Sequence, residues 1–295
     1  MAVAIALAVI ADILFAASGV LQQNTASQLE YSLNLKLKLI SKLFADRKWF
    51  IGFLFSIIGY IISFVALDFG SLVLVESLMI LNFLIALPIS NIVKKIKFNL
   101  KELVYSLLTV LGLILFLVVS DSKDSIGSYT PSRLLLSVAI FGLITVLGLY
   151  IMKLTKSINL RTFWLAATGS LMNTLLALEI KQIISSLDLR GHMNLLATVF
   201  EAPGTYLLVP TFLVALLLIQ SAFQSEKLSW SLPTINLINP VATTAIAVIL
   251  FNSTINSSFL AVILETIGII SVTWGILMLS TDNAKSETTS MNNLT

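Results

Sequence analysis

The chain has 295 residues, 57% of them hydrophobic and 11% charged, with a mean hydropathy of +0.98 and a formal net charge of +3. That composition excludes an ordinary water-soluble domain and is that of an integral membrane protein. With no cysteine, the chain has neither a disulfide framework nor a thiolate metal site.

A helix that crosses the roughly 30 Å hydrocarbon core needs about 20 mostly apolar residues. Nine stretches qualify, near residues 3 to 24, 49 to 67, 71 to 93, 102 to 120, 133 to 153, 162 to 185, 202 to 223, 231 to 251 and 258 to 280. They are continuously apolar instead of alternating, which excludes a β-barrel and makes the fold all-α, a polytopic bundle. The first stretch lacks the basic leader of a signal peptide and reads as an uncleaved span. Between spans one and two, Gln28 to Arg47 sets Leu33, Leu35, Leu37, Leu39, Ile40 and Leu43 among Lys36, Lys38 and Lys42. This segment is either an interfacial helix against anionic headgroups or a linker helix with snorkelling lysines. Gly52, Ser56, Gly59 and Ser63 on span two, and Gly268, Ser271 and Gly275 on span nine, form small-residue ridges expected to serve helix packing. Residues 281–295 are polar and read as a disordered cytoplasmic tail.

Basic residues fall on alternate loops. The loops after spans one, three, five and seven, with the tail, hold 14 of the 18 lysines and arginines, leaving Lys123, Arg133, Lys181 and Arg190 for the other side. The positive-inside rule then places the N-terminus outside and the C-terminus in the cytoplasm of a cell-membrane protein.

The chain also repeats itself. Ala16-Ala17-Ser18-Gly19-Val20-Leu21 returns 150 positions later as Ala166-Ala167-Thr168-Gly169-Ser170-Leu171, and Leu111-Gly112 matches Ile267-Gly268 at a spacing of 156. Spans one to four thus correspond to spans six to nine. A shift of five spans reverses their direction, so the repeats are inverted and joined by span five. The expected division is repeat one over residues 1–120, the linking helix over 133–153 and repeat two over 162–280, all in one transmembrane domain over 1–280.

A charge in lipid costs several kcal/mol unless it faces a cavity or a partner, so intramembrane polar residues mark candidate function. Asp12, Glu76, Glu179 and Glu265 lie inside predicted spans, where they could hold a cation or carry a coupling proton; Glu76 and Glu179 could equally face water near the interface. Amides form a second group: Gln22 and Gln23 end span one, Asn173 lies in span six, Gln220 ends span seven, and Asn236 and Asn239 lie in span eight. Such amides bind solute or glue helices together. Pro88, Pro210, Pro233 and Pro240 are expected to kink their spans and free backbone carbonyls. Enzyme signals are poor. The single histidine, His192, sits in a loop, and no glycine-rich phosphate loop or dinucleotide fingerprint appears, so no enzyme, resident cofactor or nucleic-acid partner is expected.

Leu21-Gln22-Gln23-Asn24-Thr25-Ala26, Gly70 to Leu78 and Gln220-Ser221-Ala222-Phe223-Gln224 before Ser231-Leu232-Pro233 resemble bacterial members of the drug/metabolite transporter superfamily. The likeness covers nearly the whole chain and is to the EamA-like, nine-span branch, which resembles the NIPA-type magnesium transporters. It implies an ion- or proton-coupled secondary transporter that moves a small solute across the cell membrane by alternating access, a reading held against two others: a magnesium or other divalent-cation transporter, and a non-transporting membrane scaffold. Ser77 stands where many members have proline, and Asn239 where many have a carboxylate before Pro240, which leaves ion coupling to Asp12 or Glu265. The expected partners are the lipid bilayer and a small-molecule or cation substrate, with room for a homodimer.

Overall fold

A computed structural model describes residues 2–71, 80–94, 130–190, 199–224 and 263–275 continuously, with scattered positions between 74 and 116 and between 231 and 278. Glu76, Asn236, Pro233, Pro240, Lys123, His192 and the 281–295 tail lie outside the described residues. Among those described, the secondary structure is helical with no strand.

Helix α1 (Ala2–Ala26) is followed by a 3-10 turn (Tyr31–Leu33), the short α2 (Leu37–Phe44) and α3 (Arg47–Phe69). Then come α4 (Ile80–Lys94), α5 (Pro131–Leu154), α6 (Ile158–Arg190), α7 (Pro203–Phe223) and α8 (Ile263–Gly275). Five of these, α1, α3, α5, α6 and α7, are long and apolar enough to cross a membrane. They match five of the nine expected spans. Pro88 and Pro210 lie inside α4 and α7, each of which continues as helix through its proline.

Local chemistry sets the boundaries. Asp46 caps α3, its Oδ1 accepting from the Lys48 and Trp49 backbone N–H groups at 2.9 Å each, which satisfies two of the four donors a helix start leaves open. Before α2, Leu35 takes a positive φ of 56°, a costly conformation for a branched side chain. Three bonds to α7 hold it there: Asn34 Nδ2 donates to the Ser221 carbonyl at 2.9 Å and to Gln224 Oε1 at 3.1 Å, and Leu35 N to Ser221 Oγ at 3.0 Å. In α2 itself, Leu39 and Leu43 are buried while Lys36, Lys38, Lys42 and Leu37 are exposed.

The helices pack as two antiparallel hairpins, α1 with α3 and α6 with α7. Both close on glycine. A Cβ on Gly52 of α3 would lie 3.0 Å from Leu21 Cβ and 3.2 Å from the Ser18 carbonyl oxygen, and one on Gly169 of α6 would lie 2.7 Å from Ile219 Cγ1. Lys181 Nζ donates to the Leu67 and Gly70 carbonyls at 2.6 and 2.9 Å, which lays the later part of α6 beside the end of α3. A cation there complements the partial negative charge of the α3 C-terminus. α3 and α6 therefore run parallel, and α1 and α6, which carry the echoed hexapeptides, run in opposite directions.

Burial divides the helices by role. In α6, 72% of the apolar stretch is buried, against 22% in α3, so α6 is the central helix and α3 turns most of its surface outward. That outward surface includes Ile51, Leu54, Ile58, Ile61 and Val65. An apolar face of this extent is unsuited to water and suited to lipid.

Candidate functional site

A cavity of about 100 Å³ lies between the two hairpins. Its wall takes Phe15, Ser18 and Gln22 from α1, Phe53, Ser56 and Tyr60 from α3, Asn82 from α4, Asn173 from α6, Phe212 and Gln220 from α7, and Asn239. Five amides thus arrive from five separate stretches of chain. None of the described lining residues carries a formal charge.

On the side of the α1 C-terminus the amides bond to one another. Gln220 Nε2 donates to Gln22 Oε1, Gln22 Nε2 donates to Ser18 Oγ at 2.6 Å and Ser56 Oγ at 3.1 Å, and Trp49 Nε1 donates to Gln220 Oε1 at 3.0 Å. Trp49 is fully buried and stacks on Phe53 at 5.3 Å. Below it, Gln224 Nε2 donates to the Glu30 carbonyl at 3.0 Å. Four elements are so tied together at this end of the cavity. Each bond between otherwise apolar helices also offsets the cost of removing its amide from water.

At its other end the cavity meets a layer made by Phe15, Tyr60 and Asn173. Phe15 and Tyr60 pack edge to face at 5.1 Å, and the Tyr60 hydroxyl donates to Asn173 Oδ1 at 3.2 Å. Beyond the layer is a second cavity of about 20 Å³, walled by the same three residues with Ser63, Leu67 and Ile180. The layer is thin. A Cβ on Gly59 would come within 2.8 Å of the Phe15 ring, so Gly59 gives that ring its place.

Of the residues singled out in the sequence, Gln22, Asn173, Gln220 and Asn239 line the larger cavity. Asn239 Oδ1 accepts from Thr174 Oγ1 at 2.6 Å. Gln23 is buried outside the wall. The carboxylates sit elsewhere: Asp12 is 2% exposed on α1, Glu179 is fully buried between α6 and α7, and Glu265 is half-buried on α8. Glu179 Oε1 accepts from Thr211 Oγ1 at 2.7 Å, while Oε2 is buried with no hydrogen-bond partner among the described residues. Next to it, Gln182 Oε1 accepts from Gly204 N at 3.1 Å.

Asn82, Tyr60, Ser18 and Ser56 are wall residues that the sequence reading passed over as site residues. Asn82 and Tyr60 had a signal, since each is a polar group deep in an apolar span. Ser56 belongs to the small-residue ridge assigned to packing, and only its partner, Gln22, reveals that it also faces the cavity.

No protein-family model and no solved structure matches the chain. Among curated proteins, it is 23% identical over 198 residues to an uncharacterized protein of Corynebacterium glutamicum. The match spans 65% of this chain and 65% of that relative's length. The helices and their apolar surfaces make this an α-helical membrane protein.

Proposed function

We propose that the protein is a secondary carrier, moving a small solute across the cell membrane by alternating access between two inverted four-helix repeats joined by α5. The observation that carries this reading is the amide-lined cavity between the α1–α3 and α6–α7 hairpins, whose described lining residues are uncharged, with a side-chain network toward the α1 C-terminus and a layer of residues between it and a second, smaller cavity. A site held between two repeats, with a breakable closure on each side, is what alternating access requires.

A second contact supports the repeats. A Cβ on Gly112 would lie 2.8 Å from the Gly268 carbonyl oxygen and 3.0 Å from Val272 N, and one on Gly268 would lie 2.9 Å from the Gly112 carbonyl oxygen and 3.0 Å from Phe116 N. Phe116 and Val272 are 156 positions apart, as are the two glycines. Reciprocity of this kind is what a two-fold axis produces. The opposite directions of α1 and α6 agree with an axis in the membrane plane.

In this reading the basic loops face the cytoplasm and the N-terminus lies outside. Asp12 and Glu265 act on the movement of the halves under an ion gradient, since neither lies on the cavity wall. Divalent cations favour six or more oxygen ligands with carboxylates among them, and the described wall residues offer amide and hydroxyl oxygens instead, which favours the solute reading.

The test needs no known substrate, because the chain has no cysteine. A Ser18→Cys variant in proteoliposomes, treated with a membrane-impermeant thiol reagent from each side separately, is expected to react from both. Reaction from neither side, or from one side alone under every condition, would leave the scaffold reading in place of the carrier.

A further inference from the structure

Helix α2 presents three faces. Leu39 and Leu43 are fully buried, in a cluster with Trp49 near the start of α3 and Phe223 at the end of α7. One flank carries Lys38 and Lys42, both exposed. The other carries Leu37 and Phe44, which are 79% and 41% exposed. At 3.6 residues per turn the three pairs point in separate directions around the helix. The apolar flank meets the outward side of α3. Phe44 packs against Phe50 with ring centroids 6.4 Å apart, and Phe50 heads the exposed line of Leu54, Ile58, Ile61 and Val65.

One exposed leucine is ordinary, but Leu37 shares its flank with a phenylalanine that continues the lipid-facing side of α3. Two apolar residues and two ammonium groups on neighbouring flanks fit the boundary where acyl chains meet headgroups. There the apolar pair enters the chains and the lysine stems reach out to the phosphates. Residues four apart on a helix have Cβ atoms about 5–6 Å from one another, so Lys38 and Lys42 can meet the same phosphate. Residues 36 to 50 hold five basic residues and one acidic residue, Asp46, whose Oδ1 is engaged with the start of α3. The five basic side chains form no ion pair among the described residues. This surplus of positive charge favours an anionic headgroup over a zwitterionic one.

We propose that α2 is a binding site for an anionic phospholipid of the bilayer, with the phosphate held by Lys38 and Lys42 and an acyl chain against Leu37, Phe44 and Phe50. The lipid acts beyond α2 itself. Asn34 and Leu35, just before the helix, bond to Ser221 and Gln224 of α7, and Leu39 and Leu43 share a cluster with Phe223. A headgroup that fixes α2 therefore also fixes this strap across the end of α7. The inference goes beyond the carrier reading and does not depend on it, since a scaffold with the same helix would bind the same lipid.

Phosphatidylglycerol and phosphatidylcholine with the same acyl chains differ in headgroup charge. Each is titrated into the purified full-length protein in detergent, with bound lipid read by native mass spectrometry and stability by thermal unfolding. Phosphatidylglycerol should bind about tenfold or more tightly than phosphatidylcholine and should raise the unfolding midpoint. Lys38→Gln with Lys42→Gln should weaken it roughly 25-fold, at about fivefold for each basic residue near an anionic surface. Lys153→Gln with Lys156→Gln removes the same charge at the end of α5 and should leave the binding unchanged. All four lysines are exposed, so neither double variant disturbs the core. Leu37→Gln should weaken phosphatidylglycerol as well, and glycerol 3-phosphate, which has the phosphate without the chains, should not displace it. Equal binding of the two lipids overturns the proposal. So does an equal loss in both double variants, which would show a diffuse surface charge with no site at α2. Displacement by glycerol 3-phosphate would make the ligand a soluble phosphate and overturn the lipid.

Discussion

Glu179 shows how a single residue is held in this interior. It is fully buried, with one carboxylate oxygen accepting from the Thr211 hydroxyl and the other receiving nothing among the described residues. The Thr211 bond is thus the recorded compensation for a carboxyl group removed from water, and a group so placed is expensive to orphan. Thr211→Val should destabilise the protein by about 1–3 kcal/mol in detergent, read as a lower midpoint of thermal unfolding, and Thr211→Ser should recover most of it. No loss in the valine variant would mean that the bond contributes nothing net. From sequence, Glu179 was legible as a polar residue in an apolar span. Its partner was not, because Thr211 lies 32 residues away on another helix and threonine is common in spans. The same limit applies to Asn82. A polar residue can be read from the string, but whether its hydrogen bonds are filled depends on neighbours that only packing supplies.

Between elements, glycine decides how closely helices approach. A Cβ on Gly204 at the start of α7 would lie 2.7 Å from the Glu179 backbone oxygen, and backbone cannot swing aside. Gly142 on α5 has nothing within 4 Å of the same position. Gly204→Ala should therefore lower the unfolding midpoint by pushing α7 off α6, while Gly142→Ala should leave it unchanged or raise it slightly, since alanine is favoured over glycine in a helix by about 1 kcal/mol. A matched loss in both would show that helix propensity, not close approach, is at issue. The spans themselves were legible because lipid demands long apolar runs, and α1, α3, α5, α6 and α7 follow them to within a few residues. Ser56 was not sorted correctly by pattern alone, since one ridge on α3 gives Gly52 and Gly59 to packing against α1 and Ser56 to the cavity.

Over the whole molecule, the end that holds Lys36, Lys38, Lys42, Arg47 and Lys48 is the end where Trp49, Gln220 and Gln22 bond to one another. If that end faces the cytoplasm, a cysteine at Lys38 should react with an impermeant thiol reagent only after cells are opened, and one at Ser132, in the first turn of α5, should react in intact cells. The reverse pattern would invert the proposed orientation. Charge counting carries this reading because loops near the membrane keep their bias whatever the interior does. The arrangement of the halves is harder to read, since short echoes of small residues recur by chance in apolar sequence. What lifts Gly112 and Gly268 above chance is that each occupies the room the other's side chain would need. Such a pair has a history unlike that of the cavity wall. If the halves are copies, as proposed, they drift apart wherever each meets different neighbours, and Leu21-Gln22 against Leu171-Met172 would be such a place. Where a residue's neighbour is its own copy, neither can enlarge without the other's consent, and the two are bound to age together.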